Sequence, residues 1–246
     1  MGSSAEDIVE RRTGILRLAT GYNVRELCGY KTPWGLTLPH RFLRSGDTNE
    51  LSEGDAGLLR AYGVTMDVDL RSEFEVTRAP DVFADDPRVR YHNASLYSVN
   101  MHDSDLAEGD GMDDYLVGGY LAMLSNREAV RQVFSFMATA EPSDCVLFHC
   151  AAGMDRTGVT SMLLLGLCRV SEHDILRDYL LSFASVDLVE DALRGSEEHP
   201  DLLTLANAMR TVRRRLVGGY GSVESYLASC GLTSRMLVSV RRHLVS

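Results

Sequence analysis

A cysteine and an arginine lie six positions apart in the segment 149–158, which reads HCAAGMDRTG. This spacing suits a short loop that wraps around a tetrahedral phosphate, with a nucleophilic sulfur at its base. Small residues let backbone N–H groups approach the phosphate oxygens, and a glycine adopts a positive φ at little cost. The predicted phosphate-binding residues are Ala151, Ala152, Gly153, Met154, Asp155 and Arg156.

The chemistry expected of this loop is phosphoryl transfer to Cys150. A cysteine attacks as the thiolate, and a helix N-terminus with a neighbouring arginine favours that form. Arg156 offers a planar, permanently charged fork to two oxygens. Attack by Cys150 would give a phosphocysteine that water then hydrolyses. Thr157 is predicted to hydrogen-bond the sulfur as it leaves, and His149 is predicted to be a supporting residue. The alternative is a cysteine that is simply a small buried core residue. The register of the arginine, glycines and threonine favours catalysis.

The residues on either side of this loop predict the elements that position it. Residues 145–148 are apolar, as in a strand of a sheet covered on both faces. Residues 157–170 are rich in Val, Met, Leu and Gly, as in a buried helix. A strand that leads through a loop into a helix is the setting in which backbone amides bind phosphate.

Hydrophobic patterning along the rest of the chain predicts an α/β fold. Strands are predicted at 64–70, 89–96 and within 34–45, and helices at 6–18, 52–62, within 112–139, at 171–183 and through the tail, with Thr233 as an N-cap. Alternating strands and helices followed by a helical block indicate a central, mostly parallel sheet flanked by helices, with an additional C-terminal helical segment.

The segment 149–158 resembles the signature loop of the cysteine-dependent tyrosine and dual-specificity phosphatases. It is most similar to the bacterial and fungal branch that includes mycobacterial and listerial phosphatases. Four further segments match patterns of that branch in the same order, namely 23–30 (NVRELCGY), 42–46 (FLRSG), 63–71 (GVTMDVDLR) and 220–227 (YGSVESYL). The resemblance implies a protein-tyrosine-phosphatase-like fold and hydrolysis of phosphotyrosine, with phosphoserine and phosphothreonine as further substrates.

One loop residue departs from that branch, which usually has a lysine where this chain has Met154. In lipid phosphatases, basic loop residues hold the extra phosphates of an inositol headgroup, so Met154 counts against phosphoinositides. The shortage of lysine, with Lys31 alone in the chain, points the same way. The alternative is that position 154 tolerates variation because its backbone N–H does the binding.

The general acid has several candidates. A carboxylic acid must protonate the departing oxygen. The resemblance implies Asp155, because the branch assigns a catalytic part to the loop aspartate next to the arginine. Asp103 and Asp105 are the alternatives, since other members carry the acid on a separate loop before the cysteine. Asp69 is predicted to cap or pair with an arginine near the end of its strand, or to support the site.

Composition limits the class of protein. The chain has 246 residues, of which 45% are hydrophobic and 24% charged, as in ordinary globular proteins. Its net charge of −10 argues against nucleic acid and anionic membranes as default partners. The expected partner is a phosphorylated protein, small molecule or lipid, and no oligomeric state is predicted.

The five cysteines contain no CxxC pair and no metal-ligand spacing, so neither a metal nor a cofactor is expected. An odd count with a reactive thiol suggests a reducing compartment. The first six residues have no apolar core, and no run reaches the roughly 18 apolar residues of a membrane span. The cytoplasm is therefore the default location, although some members of the branch are exported without a signal peptide.

The domain organisation predicted is a single phosphatase domain over residues 1–246. Residues 186–217 have no counterpart in minimal phosphatases and carry the apolar pattern of amphipathic helices. The resemblance implies that they form a lid over the site. The alternative is that they pack on the core, as helices at residues 218–246 are expected to do.

Three functions fit the sequence. The first is the protein phosphatase described above, and the second applies the same chemistry to phosphoinositides, inositol phosphates or small molecules. The third is a non-catalytic phosphate-binding module, which would normally have lost the cysteine, arginine or aspartate, and none is lost here. Sulfurtransferases share a cysteine loop, but Thr157 and the matches along the chain argue against that class.

Overall fold

The computed structural model describes residues 9–10, 14–97 and 112–246. The strands in these residues are β1 (Val9–Glu10), β2 (Ile15–Leu16), β3 (Arg25–Glu26), β4 (Lys31–Thr32), β5 (Gly35–Leu36), β6 (Phe42–Ser45), β7 (Val64–Asp69), β8 (Arg90–Asn93) and β9 (Cys145–His149). The helices are α1 (Glu53–Tyr62), α2 (Glu73–Arg78), α3 (Met112–Ser125), α4 (Arg127–Met137), α5 (Asp155–Leu167), α6 (Glu172–Leu180), α7 (Val186–Leu193), α8 (Pro200–Tyr220), α9 (Val223–Ser229) and α10 (Ser234–Val245).

A seven-stranded sheet in the order β1-β2-β3-β6-β9-β7-β8 forms the centre of the fold, and β4 and β5 make a separate hairpin. The longer strands β6, β9, β7 and β8 are parallel to one another. The two-residue strands β1 to β3 extend the sheet antiparallel at the β6 side. The predicted α/β fold with a central, mostly parallel sheet flanked by helices is therefore confirmed.

Helices cover both faces of the sheet, because neighbouring strand residues enter different cores. Phe42 and Phe148 belong to a large cluster with residues of α3 to α10. Their neighbours Leu43 and Leu147 belong to a smaller cluster with α1. β9 lies between β6 and β7 with all five of its residues buried. The end of β9 is thus a rigid platform for the loop that follows it.

The start of the described chain differs from the prediction. The helix expected at 6–18 is wrong, because Val9–Glu10 and Ile15–Leu16 are strands paired with each other. Gly14 precedes β2 with a φ of 68°, in the left-handed region, where an α-helix does not continue.

The C-terminal half is helical. α8 is 21 residues long and packs chiefly against α3, with further contacts to α6, α7 and α9. Its buried side includes Ala206, Met209 and Val212. α9 and α10 pack against α5. Among the residues described, no helix combines the length and apolar character that a membrane span requires.

Candidate active site

The segment Cys150–Arg156, here called the signature loop, leads from the end of β9 into the first turn of α5. Gly153 has a φ of 69°. A Cβ on Gly153 would lie 2.5 Å from Ser45 O and 2.6 Å from Gly46 N, both backbone atoms of the neighbouring segment. Only glycine fits this position, because both the dihedral angle and the close approach exclude a side chain.

The carbonyl oxygens of the signature loop are engaged by donors from the N-terminal part of the chain. Ala151 O accepts hydrogen bonds from Asp47 N, at 2.9 Å, and from the Tyr22 hydroxyl. Asn23 Nδ2 donates to Ala152 O at 3.1 Å and to Gly153 O at 2.9 Å. Gly153 O also accepts from Arg44 Nη2 at 2.7 Å. In a trans peptide the N–H points away from the carbonyl oxygen. The loop amides therefore point to the opposite side, where they can converge on an anion.

A buried ion-pair network lies behind the loop. Asp178 on α6 accepts hydrogen bonds from Arg25 on β3, at 3.2 Å, and from Arg44 on β6. All three residues are at most 2% exposed. Burial disfavours the charge of Asp178, but Arg44 and Arg25 outweigh that effect and lower its pKa. Since Arg44 also holds Gly153, this network fixes the shape of the loop. Sequence reasoning missed Asp178, although both arginines lie in segments that match the family.

Arg156 is held by Glu75 of α2. Its Nη1 and Nη2 donate to the two carboxylate oxygens at 2.6 and 2.9 Å, and the Tyr97 ring centre lies 4.7 Å from the guanidinium carbon. Burial opposes the charge of Glu75, but hydrogen bonds from Arg156 and Ser72 lower its pKa to about 2. Two of the five N–H groups of Arg156 are used in this pair, which leaves three for a ligand. Glu75 was missed in the sequence, where Ser72 and Glu75 read only as a capping box.

The N-terminus of α5 has no side-chain cap. Met154 occupies the N-cap position without a side-chain hydrogen bond, whereas Ser52, Ser72 and Ser171 cap α1, α2 and α6. The first-turn N–H groups of α5 are therefore available to an anion, and the positive end of the helix dipole is directed at it.

Asp155, the first residue of α5, is held by a pair of tyrosines. The Tyr120 hydroxyl donates to Asp155 Oδ1 and lies 2.6 Å from the Tyr179 hydroxyl. The alternative acids Asp103 and Asp105 lie outside the described residues.

Thr157 makes no hydrogen bond to the Cys150 sulfur in this structure, and the predicted bond is one that forms only as the sulfur leaves. Its Oγ1 is buried and has no hydrogen-bond partner, including the sulfur of Cys150, in the described part of the chain. The residue lies inside the first turn of α5, and its hydroxyl is free for a group that forms during reaction. Cys150 itself is 2% exposed, so its thiol is buried.

The ends of β7 and β9 carry a second set of polar residues beside the loop. Asp69 accepts from Arg71 Nη2 at 2.7 Å and from the Tyr91 hydroxyl at 2.8 Å. His149 Nε2 lies 3.0 Å from Asp81 Oδ2.

Within the described chain, Asp67, Asp81 and His149 are the group close enough together to ligate a cation. The guanidinium of Arg71 already supplies a positive charge there, with Nη2 3.9 Å from Asp81 Oδ2. The group is therefore described as an ion-pair network.

Comparison with known proteins finds phosphatases among those that resemble this chain. A tyrosine-protein phosphatase of Nostoc commune is 30% identical over 221 residues, which cover 82% of this chain and 74% of the relative. The triple specificity protein phosphatase PtpB of Mycobacterium tuberculosis is 24% identical over 251 residues, covering 82% of this chain and 90% of the relative. The crystal structure of P. aeruginosa TpbA aligns over 78% of this chain and 97% of its own at 16% identity, with a TM-score of 0.32.

A family model described as the tyrosine phosphatase family matches residues 16–246. The resemblance inferred from the signature loop is thereby confirmed. The chain belongs to the tyrosine phosphatase family, as a protein-tyrosine phosphatase enzyme.

Proposed function

We propose that this enzyme hydrolyses phosphotyrosine, and also phosphoserine and phosphothreonine, through a phosphocysteine formed on Cys150. The observation that carries the proposal is the signature loop, with its carbonyls engaged outside and its amides turned inward above a buried cysteine. The remaining N–H groups of Arg156 complete a set of donors for the three non-bridging phosphate oxygens.

In the first step, the Cys150 sulfur attacks phosphorus and an S–P bond forms while the P–O bond to the leaving group breaks. Asp155 donates its proton to the departing oxygen, so that an alcohol or phenol leaves. Loop amides and Arg156 hold the phosphoryl oxygens in line and stabilise their charge in the transition state.

In the second step, water attacks the phosphocysteine. The Asp155 carboxylate accepts a proton from this water as the new P–O bond forms and the S–P bond breaks. The products are inorganic phosphate and the regenerated thiolate. The free hydroxyl of Thr157 is proposed to donate to the sulfur as it leaves, which accounts for its lack of a partner here.

The proposed role of Asp155 draws support from its contact with Tyr120. The tyrosine hydroxyl orients one carboxyl oxygen, Oδ1. The other oxygen, Oδ2, is then the atom that carries the transferred proton. Tyr179 in turn fixes the hydroxyl of Tyr120.

The proposed substrate range follows from the loop and from a relative. Met154 is partly exposed and brings no charge to the rim, so additional phosphates of an inositol headgroup gain nothing at this position. The name of the M. tuberculosis relative records triple specificity, which supports a range broader than one residue type.

The test compares a phosphotyrosine peptide, a phosphoserine peptide and a phosphoinositide as substrates of the wild-type enzyme and of Cys150→Ser. We expect peptide hydrolysis by the wild type, no turnover by Cys150→Ser, and trapping of a phosphorylated Cys150 peptide in acid-quenched wild type. Persistent turnover by Cys150→Ser would overturn the mechanism, and preference for the phosphoinositide would overturn the substrate assignment.

The acid is tested by pH–rate profiles. Asp155→Asn should lose the basic limb of kcat/KM, since activity no longer depends on a carboxylic acid remaining protonated. If the basic limb survives in Asp155→Asn and disappears in Asp105→Asn or Asp103→Asn, the assignment to Asp155 is wrong.

A further inference from the structure

We propose that an exposed surface around Trp34 is a docking site for an acidic peptide segment of the phosphoprotein substrate. This surface, here called the Trp34 surface, consists of Lys31, Trp34 and Leu36 on the β4–β5 hairpin, Arg169 after the end of α5, and Arg241 on α10. The binding of an acidic peptide is argued from these residues alone, whereas its effect on turnover rests on the proposed function.

The hairpin presents two large apolar side chains to solvent on a fixed turn. Trp34 is 45% exposed and Leu36 is 52% exposed. The Thr32 hydroxyl donates to Gly35 O at 2.9 Å and accepts from Trp34 N at 3.1 Å, so one side chain ties the turn together. Apolar groups that are already held in place lose little conformational freedom when a partner binds. The hairpin therefore suits contact with another molecule.

Two guanidinium groups lie over the Trp34 ring. The guanidinium carbon of Arg241 is 4.6 Å from the ring centre, and that of Arg169 is 5.6 Å from it. Contact with an aromatic face does not use the N–H groups of an arginine, so these remain available to carboxylates. Arg241 already pairs with Glu224 at 3.3 Å. Arg169 is exposed and has no carboxylate partner among the described residues, so it is the main cation offered to a ligand.

Arg169 occupies a backbone position at which glycine is favoured. Its φ is 54°, in the left-handed region, at the residue after the C-cap of α5. The ends of α7 and α9 are closed by the same pair of backbone hydrogen bonds, and there this residue is Gly195, with a φ of 91°, and Gly231, with a φ of 97°. The end of α5 therefore departs from the pattern that the chain follows at two other helices.

The stability of the fold does not account for this arginine. A residue with a Cβ in the left-handed region costs about 1 kcal/mol. An exposed cation–π contact returns about 0.5–1 kcal/mol, so the contact of Arg169 with Trp34 at best offsets the cost. A role for the charge of Arg169 in binding an anion explains why an arginine is found where glycine would fit better.

The Trp34 surface carries more positive than negative charge. Its cations are Lys31, Arg169 and Arg241, and the carboxylate of Glu224 is paired with one of them. Glu172, the next carboxylate along the chain after Arg169, pairs with arginines of α8. In a chain with a net charge of −10, such a local excess of cations is the exception. It is complementary to an acidic ligand.

The small extent of this positive surface favours a peptide over a membrane or a nucleic acid. At physiological ionic strength, charges are screened beyond about 8 Å. A peptide of a few residues therefore responds to the local cations, whereas an extended anionic surface also meets the acidic remainder of the chain. Trp34 and Leu36 add apolar contact. The expected segment thus combines several acidic residues with one or two apolar side chains.

Helix α5 separates the Trp34 surface from the signature loop. The helix begins at Asp155 in the loop and ends at Leu167, two residues before Arg169. Its 13 residues span about 20 Å. A substrate that binds at both places joins its acidic segment to the phosphorylated residue by a linker, which raises the effective concentration of that residue at the loop. The expected effect is a lower KM with unchanged kcat.

The first experiment uses Trp34 as the probe, because it is the one tryptophan of the chain. Its fluorescence is titrated with an unphosphorylated peptide of four glutamates and two leucines, and with a control peptide that has lysine in place of each glutamate. We expect a saturable change with the acidic peptide that weakens at high salt, and none with the lysine peptide. Absence of a saturable change with the acidic peptide would overturn the proposal.

The variant Arg169→Gly separates binding from folding. Glycine suits the backbone of this position, so the Tm should stay the same or rise. Loss of the cation should weaken binding of the acidic peptide about tenfold. The matched control is Arg214→Ala, which removes an exposed arginine of α8 and should leave the affinity unchanged. Wild-type affinity in Arg169→Gly would overturn the proposal, whatever the Tm of the variant.

The second experiment measures turnover of a phosphotyrosine peptide alone and of the same peptide joined to the acidic segment. A Gly/Ser linker of about 20 residues has a root-mean-square length of about 25 Å, which exceeds the length of α5. We expect the wild type to show a KM about tenfold lower for the joined substrate. Arg169→Gly should show one KM for both substrates and the wild-type kcat. Equal KM values in the wild type would overturn the role of the surface in substrate docking.

Further measurements separate this proposal from other ligands and from the proposed function. Tighter binding of phosphatidylcholine vesicles with 30% phosphatidylserine, or of a single-stranded oligonucleotide, would overturn the assignment to a peptide. The fluorescence titration of Cys150→Ser requires no turnover and should match the wild type. If Cys150→Ser hydrolysed substrate, the proposed nucleophile would be wrong, whereas the titration would still report whether the acidic peptide binds.

Discussion

Replacing Glu75 with glutamine tests how the enzyme orients its arginine. The carboxylate of Glu75 receives two N–H groups of Arg156, and its Oε2 also accepts from the backbone N–H of Ser72 at 2.7 Å and from the Ser72 hydroxyl at 2.8 Å. A glutamine keeps the shape but loses the charge and one of the two acceptor oxygens. We expect both stability and turnover to fall.

The effect on stability is worked from the pKa of Glu75. A fall from its ordinary value of 4.5 to about 2 corresponds to about 3.4 kcal/mol of interaction with the charged form. Ser72 provides part of this, and the side chain is 30% exposed, so solvent screens the remainder. We therefore expect the substitution to lower the free energy of unfolding by about 1.5 kcal/mol at pH 7.

The same substitution has a defined pH dependence. Because the folded pKa of Glu75 is lowered, its contribution is complete above about pH 4.5 and is lost as pH falls toward 2. The difference in unfolding free energy between the wild type and Glu75→Gln should therefore be constant at neutral pH and shrink below pH 4.5. Urea unfolding at pH 7, 4.5 and 3 measures it.

The effect on catalysis follows from the geometry of the fork. When Glu75 no longer holds Arg156 by two hydrogen bonds, the binding of phosphate must also order the guanidinium, which weakens the net binding. We expect kcat/KM for a phosphotyrosine peptide to fall about tenfold, equivalent to about 1.4 kcal/mol. Glu73→Gln, an exposed residue of the same helix, is the control and should leave kcat/KM unchanged. An increase of kcat/KM in Glu75→Gln would refute the reasoning, because Glu75 would then compete with substrate for Arg156.

The remaining predictions address the loop and the helices around it. Gly153→Ala should lose activity and lower the Tm, because its methyl group would meet backbone atoms 2.5 Å away at a positive φ; an active, stable variant would show that the loop shifts readily. Asp178→Asn leaves two buried arginines without their anion and should cost about 3–5 kcal/mol in urea unfolding, and a loss below 1 kcal/mol would contradict a central role. Tyr120→Phe removes the hydrogen-bond donor to Asp155 and should shift the basic limb of the pH–rate profile, while the alkylation of Cys150 stays unchanged. A basic limb at the wild-type pH would show that Tyr120 does not influence the acid. If residues 186–217 form a lid, vanadate should slow their hydrogen exchange, and identical exchange with and without vanadate would count against it.

The parts of the fold set by local signals could be predicted from the sequence. Ser52, Ser171 and Thr233 cap helices whose starts were expected there. The strand at 145–148 was recognisable from its continuous apolar run, because β9 is buried on both faces. The helix expected at 6–18 was wrong because Ile15 and Leu16 form a strand that pairs with β3, and the local sequence does not indicate this pairing.

Strand β7 illustrates what alternation alone does not reveal. Val64, Met66 and Val68 alternate with polar residues, a pattern typical of a strand with one solvent face. In the structure Asp67 and Asp69 are fully buried. They enter an ion-pair network whose other members come from distant segments, so their surroundings depend on the topology of the sheet.

The loop's chemistry was readable in ten residues because a thiol, a glycine and an arginine must sit at fixed offsets. The residues that hold the loop could not be read from those ten residues, since Glu75 and Asp178 lie 81 and 22 positions from Arg156 along the chain. Nothing local marks a carboxylate that pairs with an arginine across the fold. The segments 23–30 and 42–46, which resemble the family, nevertheless contain some of the residues that hold the loop.

The signature loop depends on the N-terminal third of the chain for its shape. Asn23 and Arg44 each donate to loop carbonyls, and both belong to segments that match the family. The small residues of the loop have no long polar side chains with which to hold its amides facing inward. The shape must therefore be imposed from outside, by donors that bind the carbonyls and so turn the amides toward the phosphate. Variants of Asn23 that keep Cys150 and Arg156 intact should accordingly lose phosphate affinity, and the chemistry of the ten-residue motif is inseparable from residues more than a hundred positions before it.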